Sequence, residues 1–75
     1  LPQEFENKFV KLYHEEQQIL KTRYGLDGGS LTSLATTALE LNRSEEFVRH
    51  VEEIALEKLK VDSTYMKTLR ASYRQ

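Results

Sequence analysis

The residues that break helices all lie before position 30 of this chain. The single proline is Pro2, and the three glycines are Gly25, Gly28 and Gly29. Because proline and glycine interrupt helices more strongly than any other residue, the chain beyond residue 30 is free to be helical throughout. The sequence therefore predicts an all-α fold, a small helical bundle, with one turn marked by glycine.

Two helices are predicted before that turn. Between Glu4 and Tyr13 the apolar residues follow helical spacing; they are Phe5, Phe9, Val10 and Leu12. A second helix is predicted from about His14 to Tyr24, with inward-facing Ile19, Leu20 and Tyr24. We expect Gly25 to adopt the left-handed conformation that ends a helix, and Leu26 to fold back over that end.

Two further helices, joined by a short turn, are predicted after the glycines. Thr32 or Ser33 caps the first, which runs to about Leu41 and faces inward through Leu34, Ala38 and Leu41. Asn42 and Arg43 form the turn, in which Asn42 can take a positive φ. Ser44 caps the second, whose buried stripe to about Lys60 is Val48, Val51, Ala55 and Leu59. This pattern is typical of a helix-turn-helix, here over about residues 32–60.

The rest of the chain is predicted to form a tail helix. Ser63 or Thr64 starts it, and it covers about residues 63–73. It carries the apolar and aromatic residues Tyr65, Met66, Leu69 and Tyr73. We expect Tyr24, Tyr65 and Tyr73 at the edge of the core. The expected architecture is one domain of residues 1–75, with four helices and a C-terminal turn of helix. Since the chain starts at Leu1 without a methionine, it is expected to be a fragment.

Composition argues against several classes of function. The chain has no cysteine and only two histidines, His14 and His50, so we expect no disulfide, no metal site and no cofactor. The Gly28-Gly29 pair is not followed by a phosphate-loop lysine, and no catalytic triad is suggested, so an enzyme is not expected. No run approaches the roughly 20 apolar residues of a membrane span, and no signal peptide is visible. A cytoplasmic protein without membrane contact is the expectation.

Four segments resemble the C-terminal domain, region 4, of bacterial sigma-70 family RNA polymerase sigma factors. The run from Glu16 to Leu26 ends in Arg23-Tyr24-Gly25-Leu26, as the family's does, and Ser33-Leu34 followed by Ala38 and Leu41 resembles its first motif helix. The run Ser44-Glu45-Glu46-Phe47-Val48-Arg49-His50-Val51-Glu52 resembles its recognition helix, and the run from Ala55 to Lys60 its closing segment. Order and spacing are kept from about Leu12 to Lys60.

The resemblance implies two roles and no catalysis. The recognition helix is expected to enter the major groove at the promoter's minus-35 element, and a separate apolar surface to hold the flap tip of the RNA polymerase β subunit. An anti-sigma factor or another regulator is a further partner that the family allows. The residues expected to bind DNA are Arg43, Ser44, Glu45, Glu46, Arg49 and His50. A glutamate can accept a hydrogen bond from cytosine N4, and an arginine can bind guanine or a phosphate.

The sequence departs from the family where phosphate contacts are expected. Glu45 and Phe47 replace the two arginines that flank Glu46, and His50 stands where glutamine usually reads a base. Residues 44–60 carry five acids (Glu45, Glu46, Glu52, Glu53, Glu57) and three bases (Arg49, Lys58, Lys60). The net charge is −1, whereas free-standing DNA-binding domains are usually basic.

These departures leave two hypotheses open. In the first, the chain reads promoter DNA, with any phosphate contacts supplied by Arg43, Lys58, Lys60, Lys67, Arg70 and Arg74. In the second, it is mainly a protein-interaction module with weak or no DNA binding, and Phe47 and Ile54, seven residues apart, form its binding strip. The simpler alternative for these two residues is packing against the first helices or the tail.

Overall fold

The computed structural model describes the backbone of residues 2–73 and the side chains of residues 2–71. This part forms five helices and no strand: α1 (Gln3–Phe9), α2 (His14–Tyr24), α3 (Leu34–Leu41), α4 (Glu45–Leu59) and α5 (Ser63–Tyr73). The predicted all-α fold is confirmed. Arg74 and the side chain of Tyr73, both named above, lie outside the described residues. Among the described helices, none has the length and apolarity needed to cross a membrane.

The first helix is shorter than its apolar pattern indicates, because it ends at Phe9 and not near Tyr13. The amide of Leu12 donates to the carbonyl of Phe9 only three residues back, so the chain tightens as it leaves the helix. Gln17 of α2 donates through Nε2 to the carbonyl oxygens of Phe9 (3.0 Å) and Leu12 (3.3 Å). A side chain of the next helix thus satisfies the terminal carbonyls, and no local apolar pattern records that.

Helices α2, α3 and α4 all end in the same way. Gly25, Asn42 and Lys60 take left-handed conformations with φ of 60°, 57° and 60°. In each case the next amide donates to a carbonyl five residues earlier, which satisfies a terminal acceptor of the helix. The predictions for Gly25 and Asn42 are confirmed. Lys60 was not predicted, because a side chain makes this conformation unfavourable by about 1 kcal/mol. It is offset by Val61, which follows it and packs against the core.

Polar side chains start three of the helices. The Oγ atoms of Ser33 and Ser44 each accept a hydrogen bond from the backbone amide three residues later. The N···O distances are 3.1 and 3.0 Å. Ser44 is therefore confirmed as a cap, and Ser33, not Thr32, caps α3. α5 begins at Ser63, but its cap is the preceding residue, Asp62, whose Oδ1 accepts an amide at 2.9 Å.

The core consists of two apolar clusters that share α2 and α4. The larger cluster joins α1, α2, α4 and α5; its buried members are Phe5, Phe9, Leu12, Leu20, Tyr24, Leu26, Ala55, Leu59, Met66 and Leu69. The smaller cluster contains Ile19, Ala38 and Val48, with Leu34, Leu41, Phe47 and Val51 partly buried against it. Since α2 and α4 contribute to both clusters, they fix α3 relative to the rest of the bundle.

The tail forms a helix over the predicted residues 63–73, and Met66 and Leu69 are buried in the larger cluster. One expectation about the core is corrected. Tyr24 lies inside the core, with 1% of its surface exposed, and not at the core's edge. Tyr65 does lie at the edge, with 36% of its surface exposed.

One hydroxyl group in α3 is buried without a partner. Thr37 is fully buried, and its Oγ1 has no hydrogen-bond partner among the described residues. A hydroxyl removed from water without a replacement hydrogen bond destabilises the folded state by about 1–3 kcal/mol.

We therefore expect Thr37→Val to raise the free energy of unfolding by about 1 kcal/mol, because valine has nearly the same shape and no polar atom. The measurement is urea denaturation of the variant and the parent chain. Thr37→Ser is the matched control, since it keeps the hydroxyl and loses a methyl group, and it should lower the free energy of unfolding by about 1 kcal/mol. A destabilised Thr37→Val variant would show that the hydroxyl has a partner.

Candidate nucleic-acid interface

The chain bends between α3 and α4. Asn42 leaves α3 in a left-handed conformation, Ser44 is extended, and α4 begins at Glu45. α3 packs against α4, and both pack against α2. Residues 31–60 therefore contain two separate helices and not one continuous helix. The prediction of a helix-turn-helix requires this arrangement.

The first half of α4 presents a polar face to solvent. Glu46, Arg49 and His50 are all exposed, and their spacing of three and four residues places them on one side of the helix. Together with Ser44 and Phe47 they line a shallow depression. Within residues 2–71 neither Arg49 nor His50 has a side-chain hydrogen bond or ion pair, so both are available to an outside partner.

Ser44 and Glu45 have local roles at the start of the same helix. The Ser44 Oγ is occupied by its capping hydrogen bond to the Phe47 amide. Glu45 is exposed in the first turn, where a carboxylate stabilises the positive end of the helix dipole. The structure thus brings both residues beside Glu46, Arg49 and His50.

Arg43 is held in place at the α3–α4 connection. Its Nε donates to the Glu15 carboxylate at 2.7 Å, and its guanidinium carbon lies 5.2 Å from the centroid of the Phe47 ring. The Arg43 side chain is still 51% exposed. It directly precedes Ser44, the cap of α4, and so lies close in sequence to the start of the polar face.

Phe47 and Ile54 differ in their surroundings. Phe47 is partly buried and packs against the smaller apolar cluster, which includes Ile19 of α2. The simpler alternative, in which Phe47 packs against the first helices, therefore holds for the buried part of this side chain. Ile54 is 36% exposed, so it is the more accessible of the two apolar side chains.

Glu52 holds α4 against α2. It is only 6% exposed; its Oε1 accepts from Arg23 Nε at 2.9 Å, and its Oε2 accepts from the Tyr24 hydroxyl at 2.5 Å. Arg23 also donates through Nη1 to the carbonyl of Thr32, just before α3. One carboxylate therefore ties together α2, α4 and the segment that leads into α3. Burial and the hydrogen bond to Glu52 raise the pKa of Tyr24 well above its usual value.

A second carboxylate fixes the far half of α4. Glu16 accepts from Lys58 Nζ at 2.8 Å and from the Tyr13 amide at 2.8 Å. The Lys58 ammonium also lies 4.4 Å from the centroid of the Tyr13 ring. Lys58, one of the bases considered for phosphate contacts, is thus already engaged within the fold.

The ion pairs of Glu52 and Glu16 are not evident from the sequence. Glu52 was expected among the acids of an exposed helix, whereas it is buried and paired with Arg23. One signal for the pairing was available. Arg23 and Tyr24 lie in one segment that resembles the family and Glu52 lies in another, so the resemblance includes all three residues but does not indicate that they contact one another. Sequence separation hid the pairing, since a helical pattern reports only near neighbours.

The outward charge of α4 remains negative after these pairings. Glu52 and Lys58 are used internally. Between residues 44 and 60 this leaves the acids Glu45, Glu46, Glu53 and Glu57 against the bases Arg49 and Lys60. Any nucleic acid that approaches this helix meets a net repulsive charge, so its binding must depend on specific contacts more than on a general electrostatic attraction.

The described residues contain no group of three or more histidine or acidic side chains that could hold a metal ion. The polar face offers groups for hydrogen bonding and charge interactions, supplied by Glu46, Arg49 and His50.

The chain is similar in sequence to two RNA polymerase sigma factors. It is 46% identical over 50 residues, 67% of its length, to RNA polymerase sigma factor SigA4 of Synechococcus elongatus. It is 35% identical over 72 residues, 96% of its length, to RNA polymerase sigma factor SigA2 of the same organism. The alignments cover 16% and 22% of those proteins, so the chain spans less than a quarter of the relatives it matches. No family model and no solved structure matches the chain.

The chain is thus a sigma-factor-like region, with five helices in residues 2–73. Its similarity to SigA2 runs over nearly all of its length, which includes the Arg23–Glu52–Tyr24 tie and the polar face of α4. Similarity of this extent supports the sigma-factor resemblance that the matched segments carry.

The tie between Glu52 and Tyr24 predicts a pH-dependent stability. Near pH 7, Tyr24→Phe should lower the free energy of unfolding by about 1–2 kcal/mol, because Glu52 keeps Arg23 and loses one hydrogen bond to a charged acceptor. The folded pKa of Tyr24 is raised above its unfolded value, so this contribution is complete below pH 10 or so and is lost as the pH rises further. Urea denaturation of both proteins between pH 7 and 11 is the measurement.

The expected result is that the two stability curves converge at alkaline pH. Tyr65→Phe serves as the control near pH 7, since its hydroxyl has no partner among the described residues and its removal should change stability by less than about 0.5 kcal/mol. Curves for the parent chain and Tyr24→Phe that stay parallel to pH 11 would contradict the assignment.

Proposed function

We propose that this chain is region 4 of a sigma-70 family factor and recognises the promoter's minus-35 element on behalf of RNA polymerase in the cytoplasm. The observation that carries the proposal is the exposed group of Glu46, Arg49 and His50 at the start of α4. This helix follows α3 across a short bend, in the order that a helix-turn-helix uses to insert its second helix into the major groove.

Each of the three side chains has the chemistry to contact a base edge. The Glu46 carboxylate can accept from cytosine N4, and the Arg49 guanidinium can donate to guanine O6 and N7 or to a phosphate. His50 can donate or accept through a ring nitrogen. Ser44 and Arg43 lie at the same end of the helix, where phosphates flank the groove.

The negative charge of α4 is compatible with this role if the domain works within a larger assembly. A domain tethered to polymerase binds its site as an intramolecular event, at a high effective concentration, and so tolerates weak intrinsic affinity. The repulsion from Glu45 and Glu53 then weakens binding to unrelated DNA more than it weakens the specific complex, which gains base contacts.

A salt titration with duplex DNA that carries a minus-35 sequence tests the proposal. We expect binding at low salt that weakens as salt is added, and Arg49→Ala to weaken binding by roughly tenfold or more, since one good contact to a base edge contributes about 1–3 kcal/mol. Lys11→Ala removes the same charge from the α1–α2 connection and is the matched control, for which little change is expected. An absence of binding at low salt, or equal losses in the two variants, would overturn the proposal.

A protein-interaction module is the second candidate function. Two observations favour it: the net negative surface of α4, and the exposure of Ile54 beside it. On this hypothesis the chain docks on the polymerase β flap or on a regulator such as an anti-sigma factor. Binding to a flap-tip peptide that Ile54→Asp abolishes, with no DNA binding at low salt, would support it over promoter recognition.

A further inference from the structure

We propose that Glu15 and Phe47 are positioning residues that hold Arg43 ready to bind a DNA phosphate. This inference rests on the proposed DNA-binding function and extends it to two residues, of α2 and α4, that are not among those expected to bind DNA. Arg43 sits directly before Ser44, the cap of α4, and so at the end of the polar face that carries Glu46, Arg49 and His50.

The geometry of Arg43 supports the proposal. Glu15 Oε2 accepts a hydrogen bond from Nε of the guanidinium at 2.7 Å, and the guanidinium carbon lies over the Phe47 ring, 5.2 Å from its centroid. Within residues 2–71 the two Nη groups of Arg43 have no hydrogen-bond partner. The side chain is 51% exposed, so the guanidinium is accessible to an outside ligand.

An arginine arranged in this way differs from a free surface arginine. A long side chain that is ordered only on binding opposes association by its lost rotamer freedom. Here Glu15 and Phe47 order Arg43 before any ligand arrives, while the donors that match phosphate oxygens stay open. The opposing effect is electrostatic, because the Glu15 carboxylate repels the same phosphate that Arg43 attracts.

Two substitutions at Glu15 separate positioning from charge. Glu15→Gln removes the charge but keeps an oxygen that can accept from Arg43 Nε, whereas Glu15→Ala removes both. The two variants have the same net charge, so a difference in their DNA affinity reports the hydrogen bond alone. Glu6→Gln and Glu6→Ala provide the matched control pair, because Glu6 is exposed on α1 and has no side-chain partner among the described residues.

The experiment measures binding of these variants at low salt to the duplex that carries the minus-35 sequence, because the net negative charge of α4 disfavours binding to unrelated DNA. We expect Glu15→Gln to bind about threefold to tenfold more tightly than Glu15→Ala, which is the effect of ordering one long side chain. The Glu6 pair should bind alike. In an Arg43→Ala background the Glu15 difference should vanish, and the salt slope should fall by about 0.9.

A second readout on the free protein makes the outcomes distinguishable. The Arg43 Nε–H signal in a nitrogen–proton correlation spectrum should be protected from exchange in the parent chain and in Glu15→Gln, and lost in Glu15→Ala. Equal DNA affinities of the two Glu15 variants, or a difference that persists without Arg43, would overturn the positioning role while DNA binding itself stands. No binding by the parent chain, with a normal Nε–H signal, would instead overturn the proposed function and this role with it.

Discussion

The buried carboxylate of Glu52 is the interaction on which the arrangement of helices depends. It accepts from the Arg23 guanidinium and the Tyr24 hydroxyl, and Arg23 in turn holds the Thr32 carbonyl ahead of α3. Along α4, Glu52 lies between Val48 of the smaller apolar cluster and Ala55 of the larger one. Because a buried charge that loses its partner is strongly unfavourable, α4 cannot slide or rotate against α2 without breaking this tie. The outward direction of the polar face follows from that constraint.

Local features of the fold could be predicted from the sequence, and long-range ones could not. The bounds of α2, the cap at Ser44 and the left-handed turn at Asn42 follow from preferences within a few residues, so a single sequence reveals them. The early end of α1 depends on Gln17 of another helix. Similarly, the pairing of Arg23 with Glu52 joins residues 29 positions apart, and nothing in a helical pattern indicates it.

The candidate site was predictable in its residues but not in its electrostatics. Glu46, Arg49 and His50 were singled out from the sequence, and the structure places them together on an exposed face; their role in DNA binding stays a prediction. From the sequence alone, every charged side chain between residues 44 and 60 is expected to be exposed. In the fold, Glu52 and Lys58 neutralise partners on α2, so the charges that an outside molecule meets are a subset of those counted.

The pairing of some charges inside the fold, and the exposure of others, affects how the domain would distinguish its proposed promoter element from unrelated DNA. Basic residues that would attract any DNA are few on α4, and Arg43 is restrained by Glu15 at the entrance to the polar face. Binding that lacks a general electrostatic term depends on the contacts that only the correct sequence supplies, so the ratio of specific to non-specific affinity is favoured over absolute affinity. A region tethered to a larger polymerase assembly can tolerate low affinity of its own. Tethering raises its effective concentration near DNA, which compensates for the weak electrostatic attraction. The acidic character of α4 is therefore consistent with selective recognition, provided that the rest of the assembly brings the domain to DNA.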